Sequence, residues 1–328
     1  MAEIMAGVKI GTRGSKLALS QTQQITDQLS AVGGFDAHIN VIKTDGDILT
    51  GPLSQMGGTG VFAAELRAAV LDSRVDVAVH SLKDLPTAAV PGLALAAVPA
   101  RADARDALCS RDGLTLAELP QGARVGTGSP RRAAQLLAAR SDLDIVDIRG
   151  NVDTRLARVA GLPGNPEAEV VAGKTGDLDA VVLAAAGLSR IGRLEAVTEF
   201  LDTDVMLPAP GQGALALECR SADTDLAGVL GQSLAAVDDT DTRLAVTAER
   251  ALLARLEAGC SAPVGAHAHR KGSMLYLETV VLSLDGTRSM RLKKATDGLT
   301  AVGATLLGIE LAEELLAGGA ADLADLRS

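Results

Sequence analysis

The sequence predicts an α/β protein of two similar lobes with mostly parallel sheets, followed by a small α+β C-terminal domain. Three observations predict it. Short apolar runs with strand character alternate with helix-length segments through the first two-thirds of the chain, the pattern of βαβ units. The stretch Gly11-Thr12-Arg13-Gly14-Ser15 is echoed by Gly126-Thr127-Gly128-Ser129, each between a strand and a helix. From Asp239 onward the texture changes to a long helix, three β-like runs and a last helix.

Val8-Lys9-Ile10 reads as a strand, and Ser15 caps a helix that runs to Gly33-Gly34. His38 to Ile42 is a strand. Lys43 to Gly60 is glycine-rich and reads as a mobile lid. Phe62 to Leu71 is helical; Val75 to Val79 and Leu93 to Val98 are apolar strands. The pattern restarts with a strand at Arg124-Val125-Gly126. Gly128-Ser129-Pro130 then opens a helix with a cap and a proline at its first position. Asp144 to Ile148 is a strand, Val152 to Ala160 a short helix, and Ala180 to Ala184 an apolar strand. Pro163 to Asp177 is a surface loop or insertion. Ala214 to Cys219 is a late strand returning to the first lobe. The helix Asp241 to Glu257 ends at Gly259, and runs near Ala266–His269, Leu275–Leu282 and Ser289–Lys293 precede a helix from Thr300 to Leu316. The expected division is residues 1–105 with 214–235 for the first lobe, 106–213 for the second, and 236–328 for the C-terminal domain.

The 328 residues carry a formal net charge of -10, against general nucleic-acid binding but not against a local basic cleft. Aromatics make up 1% of the chain, so the cores must be aliphatic. The three cysteines, Cys109, Cys219 and Cys260, have no CxxC spacing, which points to a reducing compartment. Residues Met1 to Ile10 lack the pattern of a signal peptide, and no run is long and apolar enough to span a membrane. A cytoplasmic monomer is expected.

A Gly/Ser turn opening a helix offers free N–H groups to an anion. Arg13, Arg131 and Arg132 stand at such turns, Arg149 and Arg155 flank Gly150-Asn151, and Arg190 follows a further apolar strand. Strand ends between two lobes are the expected ligand position in open α/β sheets. The arginine set therefore suggests a ligand with many carboxylates or phosphates. No Walker A or dinucleotide fingerprint accompanies these turns. In His80-Ser81-Leu82-Lys83-Asp84-Leu85-Pro86, Lys83 and Asp84 fall at the same sheet edge, where a carboxylate can hold a proton or face a cationic centre. Alone, that pair would read as an ordinary solvated loop. Cys260 follows a helix end, and a thiolate there would be a good nucleophile. A zinc site of Cys260 with His267 and His269 can be imagined, but a fourth ligand is not apparent, and a strand puts both histidines on one face without a metal.

Seven motifs occur in order: Gly11-Thr12-Arg13-Gly14-Ser15, Thr44-Asp45-Gly46-Asp47, Ala78-Val79-His80-Ser81-Leu82-Lys83-Asp84-Leu85-Pro86, Gly126-Thr127-Gly128-Ser129-Pro130-Arg131-Arg132, Arg149-Gly150-Asn151-Val152, Pro210-Gly211-Gln212-Gly213-Ala214 and Glu257-Ala258-Gly259-Cys260. Each alone is a weak signal. As an ordered set spanning nearly the whole chain they resemble the porphobilinogen deaminase family. That resemblance implies two periplasmic-binding-protein-like lobes around a cleft and a third domain bearing a cofactor cysteine on a loop.

It further implies a covalent dipyrromethane cofactor, joined through a thioether to the residue matching Cys260. Four porphobilinogens would be added head to tail with loss of ammonia, giving hydroxymethylbilane for porphyrin (haem) biosynthesis. Asp84 matches the family's catalytic aspartate, which offsets the charge of the cationic azafulvene. Lys83, Thr127, Ser129, Arg131 and Arg132 match cofactor contacts. Arg13, Ser15, Phe62, Arg149, Arg155 and Arg190 match substrate contacts, with Phe62 placed to pack on a pyrrole ring. No metal is implied. The chain departs from the family at Thr59 and Asp45, where basic residues are usual, at Pro130, and in the length of Pro163 to Asp177. A different class remains open at this point: a two-lobed, non-catalytic binding protein for a polycarboxylate.

Overall fold

The computed structural model describes residues 7–43, 63–162, 176–259 and 261–326. Two five-stranded sheets and one three-stranded sheet organise it. The first contains β1 (Val8–Thr12), β2 (Ala37–Val41), β3 (Val77–Ser81), β4 (Leu93–Ala97) and β10 (Leu215–Arg220), in the order β2-β1-β3-β10-β4. The second contains β5 (Asp106–Ser110), β6 (Arg124–Gly126), β7 (Asp144–Val146), β8 (Ala180–Ala184) and β9 (Glu199–Phe200), in the order β7-β6-β8-β5-β9.

The two orders match slot for slot. In each sheet four strands run one way and one runs against them: β10 in the first, β5 in the second. Mostly parallel sheets are thus found, with one reversed strand in each. The reversed strands are those by which the chain leaves the first sheet and returns to it. Hydrophobic pattern does not reveal their direction, because a strand buried on both faces reads alike either way.

Local signals set the element ends. Helix α1 (Lys16–Gly33) starts at Ser15, whose Oγ accepts from Ala18 N at 3.2 Å, and ends at Gly34 in the left-handed region. Helix α2 (Ala64–Leu71) lies against the first sheet. Helix α3 (Pro130–Ala139) begins with its proline, but Ser129 makes no side-chain cap, contrary to expectation. The expected helix Val152 to Ala160 is shorter, α4 (Val152–Leu156), capped by the Asn151 side chain on Thr154 N. A short helix, α5 (Ala185–Arg190), follows β8 directly.

The cores are aliphatic. Ile10, Ile25, Leu29, Val77 and Leu217 pack in the first lobe, and Leu108, Val125, Leu136 and Val182 in the second. Each such side chain contributes about 1.5–3 kcal/mol by leaving water. After α6 (Val229–Val237), which packs on α1, comes α7 (Thr240–Arg255). It pairs with α8 (Ala301–Ala317) over the antiparallel meander β11 (Val264–Lys271), β12 (Met274–Leu282) and β13 (Ser289–Thr296). Among the described residues no helix is long and apolar enough to cross a membrane.

Candidate active site

The carboxyl ends of β1 and β3 supply one side of the site. β1 ends at Thr12, and the turn Arg13-Gly14-Ser15 leads into α1. β3 ends at Ser81, and a single 3-10 turn, Leu82–Asp84, sets Lys83 and Asp84 at the same edge. Arg13, Ser15, Gln21, His80, Ser81 and Asp84 share one cavity. Asp84 is exposed, on a base fixed from several directions. Leu82 N donates to Ala214 O at 3.0 Å. Gly211, at φ 75, lies so close that an added Cβ would sit 3.1 Å from Leu82 Cγ and 3.3 Å from Lys83 N. Arg250 of α7 donates to the carbonyls of Leu85 and Pro86, both at 2.8 Å. Beneath, His80 Nε2 lies 3.2 Å from Glu218, which Arg67 grips with two bonds of 2.9 Å.

The carboxyl ends of β6, β7 and β8 supply the facing side. Thr127 is buried, and its Oγ1 accepts from Ser129 N at 3.2 Å. Arg131 and Arg132 are buried rather than open to solvent, and both close on Asp106. Arg131 Nη1 donates to Asp106 Oδ2 (2.8 Å) and Leu207 O (2.6 Å); Arg132 Nε and Nη2 donate to Asp106 Oδ1 (3.0 and 2.8 Å). Burial by itself would raise the Asp106 pKa, but the two guanidiniums hold it well below the usual carboxylate range. Arg155 Nε donates to Gly150 O at 2.9 Å, exposed Arg149 lies 3.7 Å from Asp147, and Arg190 donates to Gly213 O at 2.7 Å.

These cations feel one another across the two lobes. Burial, then repulsion from Arg132 and Arg131 partly offset by Asp84 and Asp106, pulls Lys83 down to about 8. Burial, then Arg132 and Arg149, pulls Arg155 down to about 10; burial alone does the same to Arg190. Lys83, Arg131, Arg132, Arg149 and Arg155 thus form one linked field, offset by Asp84, Asp106 and Asp147. Crowded cations with lowered pKa values are stabilised by an anion that joins them.

The structure therefore brings together Arg13, Ser15, Lys83 and Asp84 on one side, and Thr127, Ser129, Arg131, Arg132, Arg149 and Arg155 on the other. Arg190 meets the returning crossover. Phe62, Thr59, Asp45 and Cys260 lie outside the described residues, as does most of Pro163 to Asp177. Cys109 and Cys219 are buried in β5 and β10, and burial pushes their thiols up to about 12 and about 11. His267 stacks on His269 and His269 on Tyr276, with ring centroids 5.7 and 5.5 Å apart. No group of three or more potential metal ligands occurs among the described residues.

Sequence reasoning missed Asp106, Gln212 as its partner, and Glu249. An acidic residue opening the apolar strand Ala107-Leu108-Cys109, and a glutamate in line with the apolar face Leu244-Ala245-Ala248-Leu252 of α7, were the available signals.

Two topologically equal α/β lobes, cations from both at their strand ends, and one exposed carboxylate on a braced turn define a protein that handles a polyanion between lobes. The chain belongs to the porphobilinogen deaminase family. The family model "Porphobilinogen deaminase, dipyromethane cofactor binding domain" matches residues 8–228, and "Porphobilinogen deaminase, C-terminal domain" matches 243–317. The chain is 54% identical to a porphobilinogen deaminase of Cutibacterium acnes over 99% of this chain and 98% of the relative. It is 56% identical to one of Micrococcus luteus (88% and 81%) and 53% identical to one of Leifsonia xyli (98% and 95%). Among solved structures it is similar to a periplasmic substrate-binding protein of an ABC transporter from Coxiella burnetii, at 15% identity over 70% of this chain and 91% of the other (TM-score 0.41). The methionine binding protein MetQ is similar at 13% over 70% and 89% (TM-score 0.41).

Proposed function

We propose that this enzyme condenses four porphobilinogens head to tail into hydroxymethylbilane, on a dipyrromethane held by Cys260. The observation that carries this is the cation field around Asp84 in a chain of net charge -10. A growing chain of rings bearing acetate and propionate groups is a dense polyanion. The field supplies charge-assisted donors for it. The residues also fit the cofactor: Arg131 Nε is buried without an acceptor among the described residues, and an anion seated on this guanidinium supplies one.

Thr127, Ser129, Lys83, Arg131 and Arg132 hold the dipyrromethane, whose terminal pyrrole carbon is the nucleophile when it is bound. Arg13, Ser15, Arg149, Arg155 and Arg190, with Phe62, receive the substrate. Asp84 gives a proton to the departing amine, so that ammonia leaves. As carboxylate it then faces the cation left on the substrate and holds pyrrole N–H groups. Once the new carbon–carbon bond has formed, the same carboxylate takes up the proton lost from the attacking ring carbon and is reset. Each cycle thus makes one carbon–carbon bond and releases one ammonia; water releases the product at the end.

With Cys109 and Cys219 buried and hard to ionise, Cys260 is left to attach the cofactor. We place the protein in the cytoplasm, as a monomer, with lobes at 1–105 plus 214–235 and at 106–213, and the cysteine-bearing domain at 236–328. The non-catalytic alternative has only distant fold likeness behind it.

The intact mass of the denatured protein tests this reading. It should exceed the sequence mass by two porphobilinogen units less the ammonia lost. Cys260→Ser should remove both the adduct and turnover, while Cys109→Ser and Cys219→Ser should keep them. An active Cys260→Ser protein with the same added mass would overturn the assignment.

A further inference from the structure

Asp106 has no place in the reaction just described, yet four side-chain hydrogen bonds converge on it. It is fully buried at the start of β5, where the chain first crosses between lobes. Oδ1 accepts from Arg132 Nε, Arg132 Nη2 and Gln212 Nε2 (2.9 Å), and Oδ2 from Arg131 Nη1. A carboxylate accepts about four hydrogen bonds, so this one is saturated.

Neighbouring residues on a helix point about 100° apart. Arg131 and Arg132, consecutive in α3, nevertheless converge, because Asp106 draws both to one point. Their other described acceptors are single carbonyls, Leu207 O and Val182 O, which are far apart in sequence and cannot supply a counter-charge. Gln212 adds the second crossover: the same Nε2 that holds Asp106 also donates to Ala104 O at 2.8 Å, tying the returning segment to the outgoing one. Arg131 grips Leu207, five residues before Gln212, where Gln135 also pairs with the backbone at 2.8 and 3.0 Å. One carboxylate thus joins the arginine pair to both chain crossings.

We propose that Asp106 is a positioning residue for the cofactor site: through Arg131 and Arg132 it sets how two guanidiniums meet the dipyrromethane carboxylates, and Gln212 keys that setting to the crossovers between lobes. The inference rests on the proposed function. Asp106 removes one of two adjacent positive charges and leaves the pair a net cation with a fixed direction. The opposite role, a competitor that occupies the arginines until the cofactor displaces it, makes the opposite prediction.

The test uses full-length apoprotein from a host deprived of porphobilinogen. It is incubated with increasing porphobilinogen, and adduct formation is followed by intact mass. Asp106→Asn should need more than tenfold higher porphobilinogen for half-maximal loading, the loss expected for a charge-assisted contact. Its final extent of loading should stay close to wild type. Asp106→Glu, which keeps the charge, should recover part of that loss. A purely structural role would lower the final extent without moving the half-maximal concentration, and a competitor role would make loading easier; either result overturns the proposal.

Should Asp106→Asn not fold, Gln212→Met decides, because it removes a donor without changing charge. Its melting temperature should fall modestly, since Ala104 O and Asp106 lose a buried donor, and its half-maximal concentration should rise several-fold. An unchanged value overturns the proposal. A wild-type protein that acquires no adduct would instead sink the functional reading itself.

Discussion

Lys83 and Asp84 are neighbours on one turn with opposite demands on solvent. Lys83 is drawn down to about 8, first by burial. Between that value and its ordinary 10.5 the folded chain binds fewer protons than the unfolded one, so the cost of burying this charge is fully present below pH 8 and fades as pH rises toward 10.5. For function the sign is reversed, since the cation that meets a carboxylate is lost above about 8. The ratio kcat/KM reports the free enzyme and should fall above that pH, and Lys83→Arg should move the alkaline limb upward. A limb unmoved by Lys83→Arg would assign it to another group. Asp84→Asn keeps shape and loses charge, so it should retain fold and cofactor yet lose about 10²–10³ in rate. Asp84→Glu should keep weak activity. Single-turnover ammonia release by cofactor-loaded Asp84→Asn measures this, and release within about tenfold of wild type would place the acid elsewhere.

At the scale of elements, the junctions were legible because glycine and capping residues act locally. Ser15 and Gly34 bound α1 where the sequence put them, and β10 returns to the first sheet as read from its apolar run. The reversed direction of β5 and β10 was not legible, because it depends on topology. Asp106 was hidden for a related reason: its partners are 25, 26 and 106 residues away, beyond any spacing rule. The turn before α3 shows how strictly a junction can be specified. A Cβ at Gly128 would lie 2.6 Å from Ile148 O, a backbone atom that cannot swing aside. Gly128→Ala should therefore cost about 1–3 kcal/mol as the turn shifts. It should also impair cofactor loading, since Thr127 and Ser129 move with it. Thermal melting and intact mass would show both, and a protein unchanged in the two would mean that the turn yields freely.

Across the whole molecule, Glu249 holds what the lobes and the C-terminal domain share. Fully buried in α7, it accepts from Arg101 Nη1 and Nη2 at 2.6 and 3.1 Å, from Gly211 N at 2.6 Å and from Ala268 N at 2.7 Å. Those donors lie on the outgoing crossover, the returning crossover and β11. Arg101 also donates to Gln212 O at 2.8 Å, so the Glu249 and Asp106 networks meet at Gln212. The same crossovers brace the Asp84 turn through Gly211 and Ala214, which makes the attachment of the C-terminal domain part of the site's rigidity. Glu249→Gln leaves the Arg101 guanidinium buried without its carboxylate, a loss of about 3–5 kcal/mol for a broken buried pair. Arg101→Gln leaves the carboxylate in the same position. If the two act as one unit, the double variant should lose less than the sum of the singles, with a coupling of about 0.5–3 kcal/mol. Calorimetric melting of the four proteins measures it. Glu249→Gln should also split the melting profile, as the C-terminal domain loses its shared anchor and unfolds ahead of the lobes. Additive losses with a single unsplit transition would show that the domains are held by their apolar contacts and not by this carboxylate.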